Sequence, residues 1–185
     1  MLQIQINDGT ISGIVLIGPR PSLNQDTLPS LQEWATVFAE TFIAPLEVVR
    51  YFGPKLHDNS SIVVISGSSS KNYSSDYANT NVIRLAWSGE IKNLMYFFAD
   101  RKMRVNSISP GIVLTQHHED RIRAQAISNN ISYKAQLSQD TSAIPLKSYA
   151  TKEDVANLAI FLLSNKASSL NGINVLLDGG ESSAY

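Results

Sequence analysis

Short apolar runs alternate with longer stretches of helical periodicity along most of the chain. The runs at residues 14–17, 62–65 and 173–177 are rich in apolar side chains, which is typical of buried strands. A further strand is predicted at residues 104–109, where it ends at Pro110-Gly111. Residues 29–52 and 77–101 have helical spacing, and a third helix is predicted to begin at Thr151, where Asp154 gives a capping-box pattern. Strands that alternate with helices predict an α/β fold whose parallel sheet is covered on both faces.

The two remaining segments are less regular. Residues 2–6 alternate like an exposed strand and residues 7–9 are a turn signal, so residues 1–13 are predicted to form a short hairpin. Residues 116–143 form a polar insertion. Because the chain shows no repeat and no low-complexity linker, residues 1–185 are expected to form a single domain.

The helix predicted over residues 77–101 is apolar around most of its circumference. One stripe consists of Ile83, Trp87, Ile91, Leu94 and Phe98. The residues that extend it around the helix are Val82, Leu85, Ala86, Met95 and Phe97. Such a helix must be covered on two sides, so we expect the sheet on one side and a second subunit on the other, with Ile91 and Phe98 at the interface. The alternative is that residues 1–13 or 116–143 cover it within one chain.

Composition excludes several classes of protein. The 185 residues are 43% hydrophobic and 17% charged, which is typical of a globular chain rather than a disordered one. The net charge of −1 offers no footprint for nucleic acid or for an anionic membrane. Without cysteine there is no disulfide and no thiolate zinc site. Since no apolar run is long enough to cross a bilayer and no basic signal-peptide start is present, a cytoplasmic protein is expected.

Several segments occur in an order that is found in one enzyme family. They are the stretch from Trp34 onward and residues 62–66, 77–81, 103–115, 144–146, 151–156, 161–164 and 171–180. The most specific are Arg-Val-Asn followed by Ser-Pro-Gly within residues 104–111, and Asp-Gly-Gly at 178–180. This arrangement resembles the short-chain dehydrogenase/reductase family, in particular its 3-oxoacyl-reductase-like or sugar-dehydrogenase-like members.

The resemblance implies a Rossmann-like, doubly wound parallel sheet and NAD(P)-dependent oxidoreductase chemistry. It begins at about residue 14, so the chain is expected to be N-terminally truncated and to lack the first βαβ unit, which holds the dinucleotide. The segment from Gly9 to Gly13 resembles part of the glycine motif, but strand-like residues 14–17 follow where the motif requires a helix. No cofactor is therefore expected for the isolated chain.

The resemblance also implies an Asn-Ser-Tyr-Lys constellation at the active site. Tyr77 aligns with the catalytic tyrosine, whereas Asn81 stands where the lysine belongs. The asparagine position is Thr41, and the serine position is Gly67 with Ser68 beside it as a stand-in. The catalytic candidates are thus Tyr77, Ser68 and Asn81, together with the arginine considered next.

A tyrosine acid or base has an ordinary pKa of roughly 10, which a nearby cation must bring toward neutrality. Asn81 carries no charge and cannot do so. Arg84 lies seven residues after Tyr77, nearly on the same helix face, at the spacing that enoyl-reductase relatives use for their tyrosine and lysine. Alternatively, Arg84 is a surface or interface arginine and Tyr77 is a tyrosine packed at the start of a helix.

The remaining candidate residues are less specific. Pro110, Gly111 and Thr115 match the turn that would face a nicotinamide in the family, so they are interpreted as vestigial cofactor-binding residues. Residues 117–120 contain two histidines and two carboxylates, but adjacent histidines point in different directions and no metal site is expected. Residues 66–70 lack the spacing of a nucleophile elbow and are interpreted as a polar loop.

These features favour a degenerate family member that acts as a binding or scaffold subunit, either as a homo-oligomer through the helix at 77–101 or as the partner of a full-length relative. One alternative is an oxidoreductase whose cofactor half is supplied by another chain and in which Tyr77 and Arg84 are at work. A decayed gene product without activity is the other alternative. The sequence leaves open whether the chain is an enzyme.

Overall fold

The sheet of the computed structural model, which describes residues 6–7, 10–19, 28–75 and 77–183, runs in simple sequence order. Within these residues the order is β1-β2-β3-β4-β5. The strands are β1 (Ile6–Asn7), β2 (Thr10–Ile17), β3 (Leu56–Ile65), β4 (Arg104–Pro110) and β5 (Asn174–Leu177). β1 is antiparallel to β2, and β2 to β5 are parallel. The predicted α/β fold with a parallel sheet is confirmed.

Helices connect successive parallel strands. They are α1 (Leu31–Phe38), α2 (Ala44–Phe52), α3 (Ala78–Phe97), α4 (Gln116–Ser128), α5 (Tyr133–Asp140) and α6 (Lys152–Leu163). A π-helical segment, Ala39–Ile43, joins α1 to α2, so the helix predicted over residues 29–52 has a wider turn in its middle. The capping box at the start of α6 is present as predicted.

The structure differs from the sequence-based prediction in two segments, and each difference has a physical cause. β3 begins at Leu56, well before residue 62, because its first half is polar and gives no apolar signal although Leu56 pairs with Ile11. Residues 116–143, for which the sequence predicted only a polar insertion, contain the helices α4 and α5. Few of their side chains are buried, so apolar periodicity could not reveal them.

The predicted hairpin is confirmed for its described residues, where Ile6 pairs with Ile11 and Asn7 with Thr10. The tip at residues 8–9 and the residues before Ile6 lie outside the described residues. Because β1 pairs with the outer edge of β2, it covers an edge that would otherwise present unpaired backbone groups.

The core has two parts because successive strand residues point to opposite faces of the sheet. Ile62 and Val64 pack under α3 and the α1–α2 segment, whereas Val63 and Ile108 pack under α6. On α3 the stripe of five buried apolar residues is the one that the spacing predicted: Ile83, Trp87, Ile91, Leu94 and Phe98.

Ile91 and Phe98 therefore belong to the core of the chain, and the expectation that they form a subunit interface was wrong. They are 2% and 3% exposed. The outward side of the same helix carries Val82, Leu85 and Phe97, which are 50%, 61% and 75% exposed. Among the described residues nothing covers this outward side.

The motif that begins at Arg104 has a structural role. The buried Arg104 guanidinium donates hydrogen bonds to the carbonyl oxygens of Leu162 and Ala167 at 2.6 and 3.0 Å, and to that of Ser164 at 3.0 Å. These carbonyls lie at and beyond the end of α6, where backbone acceptors lack helical partners and favour a cation. Burial lowers the pKa of Arg104, but an arginine stays charged.

Candidate active site

A cavity of about 170 Å³ lies where β2 and β3 end, at their carboxyl edge. Ligands of open α/β sheets bind at this edge. The walls come from the ends of β2 and β3, from the π-helical segment and α2, and from one face of α3. The lining residues are Leu16, Ile17, Gly18, Pro19, Thr41, Pro45, Val64, Ile65, Ser66, Thr80, Ile83, Arg84 and Trp87.

Arg84 is the only charged residue among the described residues that line this cavity. Its Nη1 donates a hydrogen bond to Ser69 Oγ at 2.9 Å, and its Cζ lies 5.4 Å from the centre of the Tyr77 ring. That distance is within the range of a cation–π contact. Burial lowers the pKa of the guanidinium, and the nearby Tyr77 opposes this change. The two residues that the sequence separates by two helical turns are thus in contact.

Gly67 makes room for the Arg84 side chain. A Cβ atom placed on Gly67 would lie 2.4 Å from Arg84 Cζ and 2.7 Å from Nε and Nη1. The backbone of Gly67 is extended, with φ −178°, so the glycine is required for space and not for its conformational freedom. At the position where the resembled family has its serine, this chain therefore has an arginine side chain from α3 packed against the backbone.

Asn81 is committed to a different task. Its Nδ2 donates to the Ser74 carbonyl oxygen at 2.8 Å, and the Ser74 amide donates to its Oδ1 at 3.4 Å. Both ends of the carboxamide hold the loop that precedes α3. Tyr77 is the residue that immediately precedes α3, and its side chain is partly buried. Asn81 and Tyr77 thus share the start of one helix, but Asn81 serves the loop.

The π-helical segment has a cause in the sequence. Pro45 has no backbone N–H, so the Thr41 carbonyl, four residues earlier, loses the hydrogen bond of a regular α-helix. Trp87 Nε1 donates to that carbonyl oxygen at 3.0 Å instead, which ties the segment to α3. The Thr41 hydroxyl donates to the Val37 carbonyl oxygen at 2.6 Å. Such π segments often occur at functional sites, and here it lines the cavity.

Two hydroxyl groups in the cavity wall have no hydrogen-bond partner in the part of the chain that the structure describes. They are Ser66 Oγ, at the end of β3, and Thr80 Oγ1, one helical turn before Arg84. Both atoms are buried, and Thr80 is 5% exposed. A buried polar atom without a partner costs about 1–3 kcal/mol. Together with Arg84 they give the cavity one polar side.

A network of three residues fixes the loop that carries Ser69. Ser70 Oγ and Ser109 Oγ are 2.9 Å apart, Ser109 Oγ donates to Asn174 Oδ1 at 2.7 Å, and Asn174 Nδ2 donates to Ser70 Oγ at 2.9 Å. The triangle anchors the 3₁₀ turn Ser68–Ser70 to β4 and β5. Because the hydroxyls come from distant segments, the sequence pattern could not show this network.

The other candidates from the sequence lie away from this cavity. Ser68 begins the 3₁₀ turn and does not line the cavity. Pro110 and Gly111 lie at the end of β4, where the Gly111 amide donates to the Leu177 carbonyl oxygen at 3.1 Å. Thr115 precedes α4, and its hydroxyl lies 3.2 Å from His118 Nδ1.

The described residues contain neither a candidate metal site nor a candidate membrane-spanning helix. No three of their histidine, aspartate or glutamate side chains are grouped as a metal ion would require. No helix within the described ranges has the length and apolar character needed to cross a membrane.

The chain is similar to known oxidoreductases in sequence. A family model described as Enoyl-(Acyl carrier protein) reductase matches residues 11–182. The NADPH-dependent reductase BacG of Bacillus subtilis is 25% identical over 170 residues, which cover 90% of this chain and 66% of that protein. The isoepoxydon dehydrogenase patN of Penicillium expansum is 30% identical over 152 residues, covering 80% and 56%. The chain thus spans 56% to 66% of the length of these curated relatives.

Solved structures share the fold. L-sorbose reductase from Gluconobacter frateurii, complexed with NADPH and L-sorbose, has a TM-score of 0.86 at 21% identity, over 96% of this chain and 69% of that one. An apo short chain oxidoreductase from Pseudomonas aeruginosa, described as containing an atypical catalytic center, has a TM-score of 0.87 at 21% identity, with the same coverage of 96% and 69%. At these identities the likeness concerns the fold.

Proposed function

The chain belongs to the short-chain dehydrogenase/reductase family, and we propose that it acts as a binding or partner subunit that does not by itself bind a nicotinamide dinucleotide or transfer hydride. Its partner is a second copy of the chain or a full-length relative. The observation that carries the proposal is Asn81. It stands four residues after Tyr77, and both ends of its carboxamide are bonded to Ser74.

Asn81 differs in charge from the lysine that the family has at this position. To exchange a proton near neutral pH, a tyrosine with an ordinary pKa of roughly 10 needs a stabilising cation, at roughly 1.4 kcal/mol per pKa unit. A neutral amide that already binds the Ser74 backbone supplies none. The family's serine position is Gly67, and the hydroxyl of Thr41, at the asparagine position, is bonded within its own helix. Tyr77 alone keeps the functional group of the resembled constellation.

The described residues of this chain do not fit a dinucleotide. A pyrophosphate needs a glycine-rich turn at the start of a helix, but Gly13 lies within β2, opposite Ser61 of β3. The cavity of about 170 Å³ holds a small molecule and not a dinucleotide.

A second candidate function has one specific observation in its favour. The Arg84 guanidinium lies over the Tyr77 ring, so a cation is present on the side of α3 that faces the cavity. This arrangement favours an oxidoreductase that uses Tyr77 and Arg84 and takes its cofactor half from another chain. The two functions differ in what they require of Tyr77, because only the second needs its hydroxyl.

Calorimetric titration of the chain with NAD⁺, NADH, NADP⁺ and NADPH tests the first function. We expect no binding at ligand concentrations up to about 1 mM, because Asn81 replaces the lysine and the described residues contain no glycine turn at the start of a helix. A dissociation constant in the low micromolar range for any of the four would contradict the proposal.

The second function is tested through hydride transfer, followed by nicotinamide absorbance, after the chain, Tyr77→Phe or Arg84→Met is combined with the dinucleotide-binding half of a full-length relative. Tyr73→Phe and Arg50→Met are matched controls, because Tyr73 is 71% exposed and the Arg50 side chain 74% exposed. Activity that survives in both controls and disappears in both site variants would favour the oxidoreductase. Absence of activity in the unmodified chain, even with that half present, favours the first function.

A further inference from the structure

The Arg84 charge is partly buried without a compensating carboxylate among the described residues. No described aspartate or glutamate lines the cavity, and the pKa of Arg84 is lowered by burial with only Tyr77 acting against it. The described contacts account for one of the five N–H donors of the guanidinium, the one on Ser69. A charge taken out of water is costly unless it is paired, so this site favours an anion.

The polar groups around Arg84 are suited to a small oxyanion. Thr80 lies one helical turn before Arg84 on the same face of α3, and Ser66 precedes Gly67, against which the guanidinium packs. Among the residues that line the cavity, Thr80 and Ser66 carry the buried hydroxyls that have no partner in the described part of the chain. A guanidinium binds a carboxylate with two parallel hydrogen bonds, and a hydroxyl donates a further bond to the same group.

The rest of the cavity is apolar. Leu16, Val64 and Trp87 are 1%, 3% and 5% exposed and are among the apolar residues that line the cavity. A phosphate or sulfate has no part that would gain from this wall, whereas an alkyl chain does. The volume of about 170 Å³ accommodates a chain of a few carbon atoms.

We propose that this cavity binds a small monocarboxylate, with its carboxylate on Arg84, Thr80 and Ser66 and its short alkyl chain against Leu16, Val64 and Trp87. The inference rests on the proposed binding function, because it names the ligand class of that same edge of the sheet. Gly67 belongs to this site because a side chain there would displace the guanidinium.

Calorimetry and thermal unfolding with acetate, propionate and butyrate test the proposal on the unmodified chain. Each methylene buried against the apolar wall is expected to raise the affinity about fourfold, so butyrate binds tightest and raises the melting temperature most. Butyramide, which has the same shape without the charge, and inorganic phosphate, which lacks the alkyl chain, are expected to bind at least tenfold more weakly than butyrate. Phosphate binding as tight as butyrate binding would contradict the assignment to carboxylates.

Two variants separate binding from folding. Thr80→Val keeps the shape and removes the unpartnered hydroxyl, so we expect the stability of the ligand-free chain to hold and the butyrate affinity to fall about five- to tenfold. Arg84→Met removes the buried charge, so the ligand-free chain is expected to melt at the same or a higher temperature while butyrate binding falls more than tenfold. Arg50→Met, on an exposed arginine of α2, is the control that should leave binding unchanged.

Three outcomes would overturn the proposal. The first is that no carboxylate at about 10 mM changes the melting temperature or gives a heat of binding. The second is that Thr80→Val and Arg84→Met both bind butyrate as tightly as the unmodified chain. The third concerns Asp26 and Asp76, which lie outside the described residues. If butyrate binds only to the double variant Asp26→Asn/Asp76→Asn, a carboxylate of the chain itself pairs with Arg84 in place of a ligand. Because dinucleotide binding is measured separately, failure here is distinguishable from failure of the proposed function.

Discussion

At the scale of single residues, the Arg84 guanidinium packs directly against Gly67. In the resembled family, position 67 carries a serine and position 84 lies one helical turn beyond the lysine. Here position 67 is a glycine, and the Arg84 side chain fills the space beside it. Since the Gly67 backbone is extended, any residue could adopt its conformation. The glycine is therefore explained by the distance of 2.4 Å between a built Cβ and Arg84 Cζ.

A double-mutant cycle tests this coupling. Gly67→Ala is expected to lower the free energy of unfolding only modestly, because the guanidinium is the end of a flexible side chain and can move. In the Arg84→Ala background the same change is expected to be neutral or stabilising, because alanine restricts the unfolded chain. Urea unfolding of the four proteins should give a coupling energy of about 0.5–1 kcal/mol. Additive effects of the two substitutions would show that the residues are independent.

The helices have ends and irregularities that depend on single residues. Pro45 frees the Thr41 carbonyl for Trp87, and Arg104 binds the carbonyls at the end of α6. At the other end of α6, Thr151 N and Oγ1 donate to Asp154 Oδ2 at 2.8 and 2.7 Å. These bonds to the charged carboxylate lower the pKa of Asp154 from its ordinary value of 3.8.

The capping box predicts a pH dependence of stability. A carboxylate whose pKa is lowered in the folded chain contributes stability above its unfolded pKa of 3.8, and this contribution is lost as pH falls through the lower folded value. Asp154→Ala is therefore expected to lower the urea midpoint at about pH 6 and to lose this effect as the pH falls below 3.8. Glu153→Ala, a change in the same turn outside the capping box, is the control. An equal loss for Asp154→Ala at both ends of the pH range would contradict the electrostatic origin.

On the scale of the whole molecule, α3 has two different faces. Its inner face is core, and its outer face exposes Val82, Leu85 and Phe97. Large apolar residues exposed on one face of a helix are typical of an interaction site. Among the described residues, neither the hairpin nor α4 and α5 cover it, which leaves a second subunit as the expected cover.

We expect the chain to be at least a dimer through the outer face of α3, because a two-fold arrangement brings the same apolar residues of both copies together. Val82→Glu and Leu85→Glu should convert the dimer to a monomer without unfolding, since both residues are exposed. Ile91→Glu would instead place a charge in the core.

Light scattering coupled to size-exclusion chromatography measures this outcome. The control is Ile127→Glu, a charge placed on α4 at a residue that is 81% exposed, which should leave the assembly unchanged. A stable monomer for the unmodified chain would exclude this interface.

The sequence by itself determined the features that depend on neighbours along the chain. The four parallel strands, the buried stripe of α3 and the capping box at Thr151 follow from periodicity and from short motifs, because such signals are local. The same locality explains the misses. The polar first half of β3 and the polar helices α4 and α5 carry no apolar signal, and their structure depends on what they pack against.

Only the tertiary structure decided the composition of the candidate site. Tyr77, Asn81 and Arg84 were all visible as residue types, but the sequence could not tell which of them meet. Asn81 binds Ser74, whereas Arg84 meets Gly67 and Ser69 across a gap of fifteen residues or more along the chain. The sequence likewise could not show that the hydroxyls of Ser66 and Thr80 have no partner among the described residues. The physical reason is that hydrogen bonds, steric room and desolvation depend on distances in space, which the fold sets by joining residues far apart in sequence.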